Sequence, residues 1–204
     1  MRDRVIRDEI HRDILVPAHH ARIIDTHEFQ RLRNVQQLST CEFVFPSATH
    51  TRFAHSLGAY HLAGALTDSL QEVQPGLLSN DDAELVCLGA LLHDIGHPPY
   101  SHLLETPEVF ATYHSHEHWG RVMLEDTSSE IGQVLDEVLG TERKKRLFSI
   151  LDGASECDGV SIAPFLKEII SSQLDVDRMD YLVRDQANTG AQIGGFDIAR
   201  VFRA

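Results

Sequence analysis

Apolar residues recur every three or four positions between Arg52 and Val73, at Phe53, Leu57, Tyr60, Leu62, Leu66 and Leu70. That spacing predicts a helix with a buried face. Gly58 and Gly64 interrupt it. A glycine inside a helix costs about 1 kcal/mol relative to alanine, so the pair predicts close packing against a neighbour. Pro75-Gly76 ends the run. Leu85 to Leu92 is apolar on nearly all sides, which predicts a central, buried helix. Asp81, with Glu84 three residues on, reads as its N-cap and capping partner.

The flanking segments are less regular. Val5 to Ala18 alternates charged and apolar residues around Pro17, predicting a short extended or irregular entry. Ala21 to Leu38 reads as one helix with Ile23, Ile24, His27, Arg31 and Val35 near one face. Ser39 to His50 carries aromatics, hydroxyls and Pro46, the composition of a loop or short hairpin. Beyond the buried helix, Pro98 to Pro107 is irregular. Helices are predicted over His114 to Glu125 and Ile131 to Leu139. Thr141 to Leu151 carries the basic run Arg143-Lys144-Lys145-Arg146, which reads as a solvated face. Asp152 to Gly159 is a polar loop. Pro164 to Gln186 reads as one long helix closed by Asn188-Thr189-Gly190, and Asp197 to Arg203 opens another. The pattern predicts an all-α fold, in one domain over residues 1–204.

Composition narrows the function. The 204 residues are 42% hydrophobic, enough for a real core. A formal charge of −13 disfavours general binding to nucleic acid. No stretch approaches the ~20 apolar residues of a membrane span. Met1-Arg2-Asp3-Arg4 leads into no apolar signal core. Cys41, Cys87 and Cys157 are odd in number and form no C-x-x-C pair, so a reduced, cytoplasmic setting is expected.

The chemistry concentrates at Leu91-Leu92-His93-Asp94-Ile95-Gly96-His97-Pro98-Pro99-Tyr100-Ser101-His102. An imidazole and a carboxylate end an apolar helix side by side. Burying either unpaired costs several kcal/mol, roughly. A divalent cation removes that cost, because neutral imidazole and ionised carboxylate are both good ligands. His55, on the preceding helix, can face this pair across an antiparallel packing, or can be a core histidine bonded to a carbonyl. In Asp175-Val176-Asp177-Arg178-Met179-Asp180-Tyr181-Leu182-Val183-Arg184-Asp185, helical spacing puts Asp177, Tyr181, Arg184 and Asp185 on one face with Arg178 beside them. A solvated face crossed by ion pairs is the competing reading.

A histidine, then His-Asp, then a distant aspartate is the signature of the HD superfamily of metal-dependent phosphohydrolases. Here it is His55, His93-Asp94 and Asp177. The chain further resembles the dNTP triphosphohydrolase branch of that superfamily at Gln37-Leu38, Val44-Phe45-Pro46, His50 to Gly58, His93 to His102, His116-Glu117 and Asp175 to Tyr181. The resemblance implies a helical bundle around a metal site, with His55, His93, Asp94 and Asp177 as ligands to one divalent ion: Mn, Fe, Mg, Ni or Zn. It implies hydrolysis of a dNTP to deoxynucleoside and triphosphate. His116 matches the catalytic histidine, Glu105 and Glu117 carboxylates that orient it, and His97 and His102 residues of the phosphate cleft. Arg52 and Arg178 match phosphate binders. Gln37, Leu38 and Asp185 match the pocket for the sugar 3′-hydroxyl, and Tyr181 the residue that leaves little room for a 2′-hydroxyl. The family's C-terminal region has no counterpart here. A nucleotide substrate is implied; a nucleotide effector and a homo-oligomer stay open. So do an HD phosphohydrolase acting on another nucleotide or phosphoester, and a truncated, non-catalytic metal- and nucleotide-binding module.

Overall fold

The computed structural model describes residues 2–106, 108–109, 114–153, 156–157, 160–192 and 195–203. The part of the polar loop at residues 154–155 and 158–159, and Pro107, lie outside them. The architecture is all-α, with nine helices and two small hairpins among the described residues.

The entry segment is more ordered than expected. β1 (Arg4–Asp8) pairs antiparallel with β2 (Arg12–Val16), with Asp8 opposite Arg12. Alternation gives the hairpin its buried face, where Ile14 and Val16 enter the core. The region read as one helix is α1 (Ala18–Ile24), α2 (His27–Gln30) and a 3-10 turn over Arg31–Asn34. The break has a local cause. The Thr26 hydroxyl donates to the Ile23 carbonyl (2.7 Å) and the Gln30 amide donates to the Ile24 carbonyl (2.8 Å), closing α1 with side chains.

α3 (Arg52–Val73) and α4 (Asn80–Leu92) form the centre. Leu57, Leu62, Leu85, Leu88, Leu91 and Leu92 are all buried there. Each such side chain contributes about 1.5–3 kcal/mol over its exposed state. The N-cap of α4 is Ser79, whose hydroxyl accepts from the Asp82 N–H (3.0 Å), not Asp81. Asp81 is engaged elsewhere. The helix expected over Ile131–Leu139 is the first part of α6 (Glu130–Asp152), which breaks at Gly140, with φ 67° and ψ 174°, and resumes through the basic run. Its basic run is not a solvated face. Arg143 and Arg146 bond Asp81, Asp82 and Glu84 at the start of α4, and Lys144 is buried against Asp136 (2.8 Å).

α5 (His116–Glu125) packs on α6, capped by Ser115. Within the polar loop β3 (Glu156–Cys157) forms, pairing antiparallel with β4 (Val160–Ser161) just beyond it. The expected long helix from Pro164 is two, α7 (Phe165–Ile170) and α8 (Val176–Thr189). Asp175 separates them by capping α8, accepting from the N–H groups of Arg178 (2.7 Å) and Ser172 (2.5 Å). α9 (Ile198–Val201) closes the chain order. No helix among the described residues is long and apolar enough to cross a membrane.

Candidate metal centre and active-site cleft

Three elements bring the polar residues together. α3 supplies His55 near its start, α4 runs directly into His93 and Asp94, and α8 supplies Asp177 in its first turn. Both imidazoles are held through Nδ1. His93 Nδ1 donates to the Ala90 carbonyl (2.8 Å), and His55 Nδ1 donates to the Asp180 carboxylate (2.8 Å). Each ring then turns Nε2 toward the same point. His55 Nε2 is 2.9 Å from Asp177 Oδ1 and 3.6 Å from Asp94 Oδ2. His93 Nε2 is 3.4 Å from Asp94 Oδ1 and 3.5 Å from Asp177 Oδ1.

These distances do not come from hydrogen bonds. Both Nε2 atoms are buried and have no hydrogen-bond partner among the described residues. A buried polar atom left unsatisfied costs about 1–3 kcal/mol. Separations near 3 Å are those of neighbouring ligands around a cation ~2.1 Å from each. Two imidazole nitrogens and two carboxylates fit a divalent metal ion, with the second nitrogen of each ring bonded as metal-bound histidines require.

The electrostatics agree. Burial alone would push the His55 imidazole down, but the carboxylates of Asp177 and Asp180 outweigh it and lift it to about 10. Burial would raise Asp94, yet His93 and Arg52 hold it well below the usual carboxylate range. Asp177 is likewise held low, against its burial, by His55 and His93. The centre is a place where positive charge is favoured. A proton and a metal ion compete for it.

Beside this centre lies a second histidine group. Glu105 accepts from His116 Nδ1 (3.0 Å) through one oxygen and from His102 Nδ1 (2.9 Å) through the other. His97 stacks flat on His116, centroids 3.8 Å apart, and its Nε2 is 3.3 Å from Asp94 Oδ1. Burial pushes His97 down to about 4, so it sits neutral between the two groups. Gly96 permits the approach. A Cβ there would lie 2.0 Å from the His116 carbonyl and 2.2 Å from the Gly120 N–H. Only glycine lets the start of α5 touch the loop that leaves α4. Arg31 holds that loop from below, donating to the carbonyls of His97 (2.7 Å) and Ile95.

A cleft of about 520 Å³ opens over both groups. Of the residues named from the sequence, Gln37, Leu38, Arg52, His93, Asp94, His97, His102, His116, Glu117, Asp177, Tyr181 and Asp185 line it. His55 lies beneath it, fully buried, and Glu105 behind His116. Arg52 reaches Asp94 with one guanidinium nitrogen and the Ser101 hydroxyl (2.9 Å) with another.

Arg184, expected on the common face, and Arg178, expected beside it, are not among the residues that line the cleft. Arg178 is half exposed and donates to the Ser172 carbonyl (2.9 Å) in the turn before α8. Arg184 is fully buried, its guanidinium turned to Asp180 and Asp8. At 100° per residue the i+7 position lies only about 20° from Asp177, so spacing does not separate them; the carboxylates of Asp180 and Asp8 draw the Arg184 guanidinium away from the cleft.

Two residues given no role by the sequence reading support the site. His50 Nε2 holds Asp185 Oδ1 (2.8 Å), and Asp180 holds His55. A signal for Asp180 exists in the sequence. It falls in the apolar stripe of α8, at the i+4 position from Val176 and next to Met179, where an aspartate must have a buried partner.

The HD domain family matches residues 52–185, which hold all four residues of the metal centre. An uncharacterized protein of Methanocaldococcus jannaschii is 39% identical over 98% of this chain, and one of Bacillus subtilis 38% over 98%. The human deoxynucleoside triphosphate triphosphohydrolase is 37% identical over 98% of the chain. The chain spans 37, 44 and 35% of the lengths of these three. A hypothetical protein from Aquifex aeolicus, known from its crystal structure, superposes with a TM-score of 0.82 at 37% identity, over 98% of this chain and 50% of that one.

Proposed function

The chain belongs to the HD-domain family of phosphohydrolases, and on that premise we propose that it hydrolyses a deoxynucleoside triphosphate to deoxynucleoside and triphosphate. The observation that carries this reading is the facing of two groups across one cleft: the orphaned imidazole nitrogens of His55 and His93 with Asp94 and Asp177, and the Glu105-held His116. The relatives named as deoxynucleoside triphosphate triphosphohydrolases support the choice of substrate.

His55, His93, Asp94 and Asp177 would hold one divalent ion. Bound there, such an ion supplies positive charge to an α-phosphate oxygen and lowers the pKa of a nearby water. The chain's residues do the rest. Arg52 fixes Asp94 and offers its charge to the phosphates from the cleft wall. Water attacks the α-phosphorus, forming one P–O bond as the bond to the 5′-oxygen breaks. His116 gives its Nε2 proton to that departing oxygen, while Glu105 at Nδ1 keeps the ring in position, and the proton the attacking water sheds passes to solvent. His97, stacked on His116, and His102, on the second oxygen of Glu105, keep the acid from turning away. Gln37, Leu38 and Asp185 form the wall for the sugar, and Tyr181 closes the space a 2′-hydroxyl would need. A cleft of about 520 Å³ is of the size nucleotide-sized ligands occupy.

The test is product analysis. The protein is incubated with dGTP and Mn²⁺ and the products are separated. Deoxyguanosine with intact triphosphate is expected. Release of phosphate or pyrophosphate without triphosphate overturns the reaction and points to another phosphoester chemistry of the same family. Binding of dGTP without turnover favours a non-catalytic module.

A further inference from the structure

Behind the metal centre, and outside the residues the HD family matches, the N-terminal hairpin reaches the same aspartate that holds His55. Asp180 is completely buried and its carboxylate has four partners. His55 Nδ1 lies 2.8 Å away and His11 Nε2 2.7 Å. Arg184 donates from Nε and from Nη2, each 2.9 Å. Arg184 in turn donates to Asp8 at the end of β1 (3.0 and 3.3 Å). The hairpin thus grips Asp180 twice, directly through His11 and through Asp8 and Arg184.

The hairpin is built to aim His11. Its turn is Glu9-Ile10-His11, with Arg12 in the left-handed region at φ 66°. Asp8 Oδ1 accepts from the N–H groups of Ile10 (2.9 Å) and His11 (2.8 Å), so the turn is locked by its own first residue. On the other side, α3 makes room. A Cβ on Gly58 would sit 1.8 Å from Asp180 Oδ1 and 2.6 Å from the Arg184 guanidinium. Glycine one turn after His55 is what lets the carboxylate lie against the helix that carries the ligand.

A buried cluster of two carboxylates, a guanidinium and two imidazoles is a poor route to stability, because desolvation offsets most of the attraction. Its placement suits another task. The Nδ1 partner of a metal-bound histidine sets the ring's tautomer and direction. We propose that His11 is a positioning residue for the metal centre: it fixes Asp180, which fixes His55 with Nε2 turned to the cation. This rests on the metal-centre reading above. It extends the site from the α3–α4–α8 core to a hairpin 169 residues away in sequence from the aspartate it holds.

Two substitutions separate the hydrogen bond from the packing. His11→Phe keeps the ring volume and loses the N–H. His11→Gln keeps a side-chain N–H near the same place. The readout is affinity for Mn²⁺ alone, by competition with a fluorescent chelator, on the full chain, with thermal unfolding of the metal-free proteins beside it. Removing the direct partner of a metal-bound histidine weakens metal binding by about 10–100-fold, and His11 stands one bond behind that partner, which sets the low end of the range as the expectation. His11→Phe is expected to weaken Mn²⁺ at least about tenfold, and His11→Gln to stay within about threefold of wild type. Equal weakening by both, or wild-type affinity in both, overturns the proposal, whatever the unfolding temperatures. Asp177→Ala tells a different failure apart. If wild type and Asp177→Ala take up Mn²⁺ alike, it is the metal-centre reading that has failed, and His11 with it.

Discussion

Several places among the described residues gather imidazoles onto carboxylate oxygen, and two of them invite comparison. One is the centre at His55, His93, Asp94 and Asp177; the other joins His19 and His20 of α1 to Glu84 of α4. By residue type and spacing either set could hold a cation. They differ in what each atom already has. At the second site, His19 and His20 both bring Nε2 to Glu84 Oε1 (2.9 and 3.1 Å), His20 Nδ1 meets the Tyr60 hydroxyl (2.8 Å), and Arg143 covers Glu84 Oε2 (2.8 Å). Every one of those atoms has a partner, and the carboxylate's charge is matched by a guanidinium. At the first, two ring nitrogens have none.

The fields run in opposite directions as a result. Carboxylates lift His55 to about 10, whereas burial, helped by the neighbouring His19, pushes His20 down to about 4. One pocket draws in positive charge and the other refuses it. The lesson is that a cluster of ligand-type residues is a metal site only when its hydrogen-bond accounting is left open.

The sharpest way to break this contrast is metal analysis. Asp177→Ala is expected to lose bound divalent metal and to lower the proposed triphosphohydrolase activity by more than about a thousandfold, since the ligand and its charge both go. Metal retained at the wild-type ratio would remove Asp177 from the centre. Next in size is His116→Ala, expected to lower kcat by about 10²–10⁴-fold with metal content unchanged, as for loss of a general acid. Loss of metal in that variant would merge the two histidine groups into one site.

The second cluster makes its own prediction, in stability. Above about pH 6.5, His20 is neutral in folded and unfolded chains alike and its burial carries no penalty. As pH falls toward 4, the unfolded chain takes up a proton that the folded one refuses. Stability is therefore lost over that window, by up to ~3 kcal/mol from this residue. Denaturant unfolding at pH 7 and pH 4 should show a smaller acid loss in His20→Gln than in wild type. An identical loss would mean that His20 is not shielded from protons. The smallest effect is expected for Glu84→Gln. It should cost about 1 kcal/mol through weakened bonds to Arg143 and the two histidines, with bound metal unchanged. A fall in metal content would make the second cluster a site after all.

Much of this was legible along the chain. The period of Phe53 to Leu70 marked α3, the apolar run at Leu85 marked the buried α4, and the motif residues at 55, 93, 94 and 177 do come within a few ångströms of one another. These are local signals, because a helix writes its buried face at a fixed spacing and a helix end writes its chemistry in the residues that follow. Other features depended on partners far away. Thr26 and Asp175 turn backbone aside with one side chain each, against an unbroken helical period. The basic run at Arg143 looked solvated until α4 brought Asp81 and Glu84 beside it. Arg178 left the cleft although its neighbours in spacing entered it. His11 and Asp180, 169 positions apart, carry nothing in their own surroundings that names the other. Spacing fixes which residues share a face; only packing decides what that face meets, and so which buried atoms are satisfied and which are left waiting for a ligand.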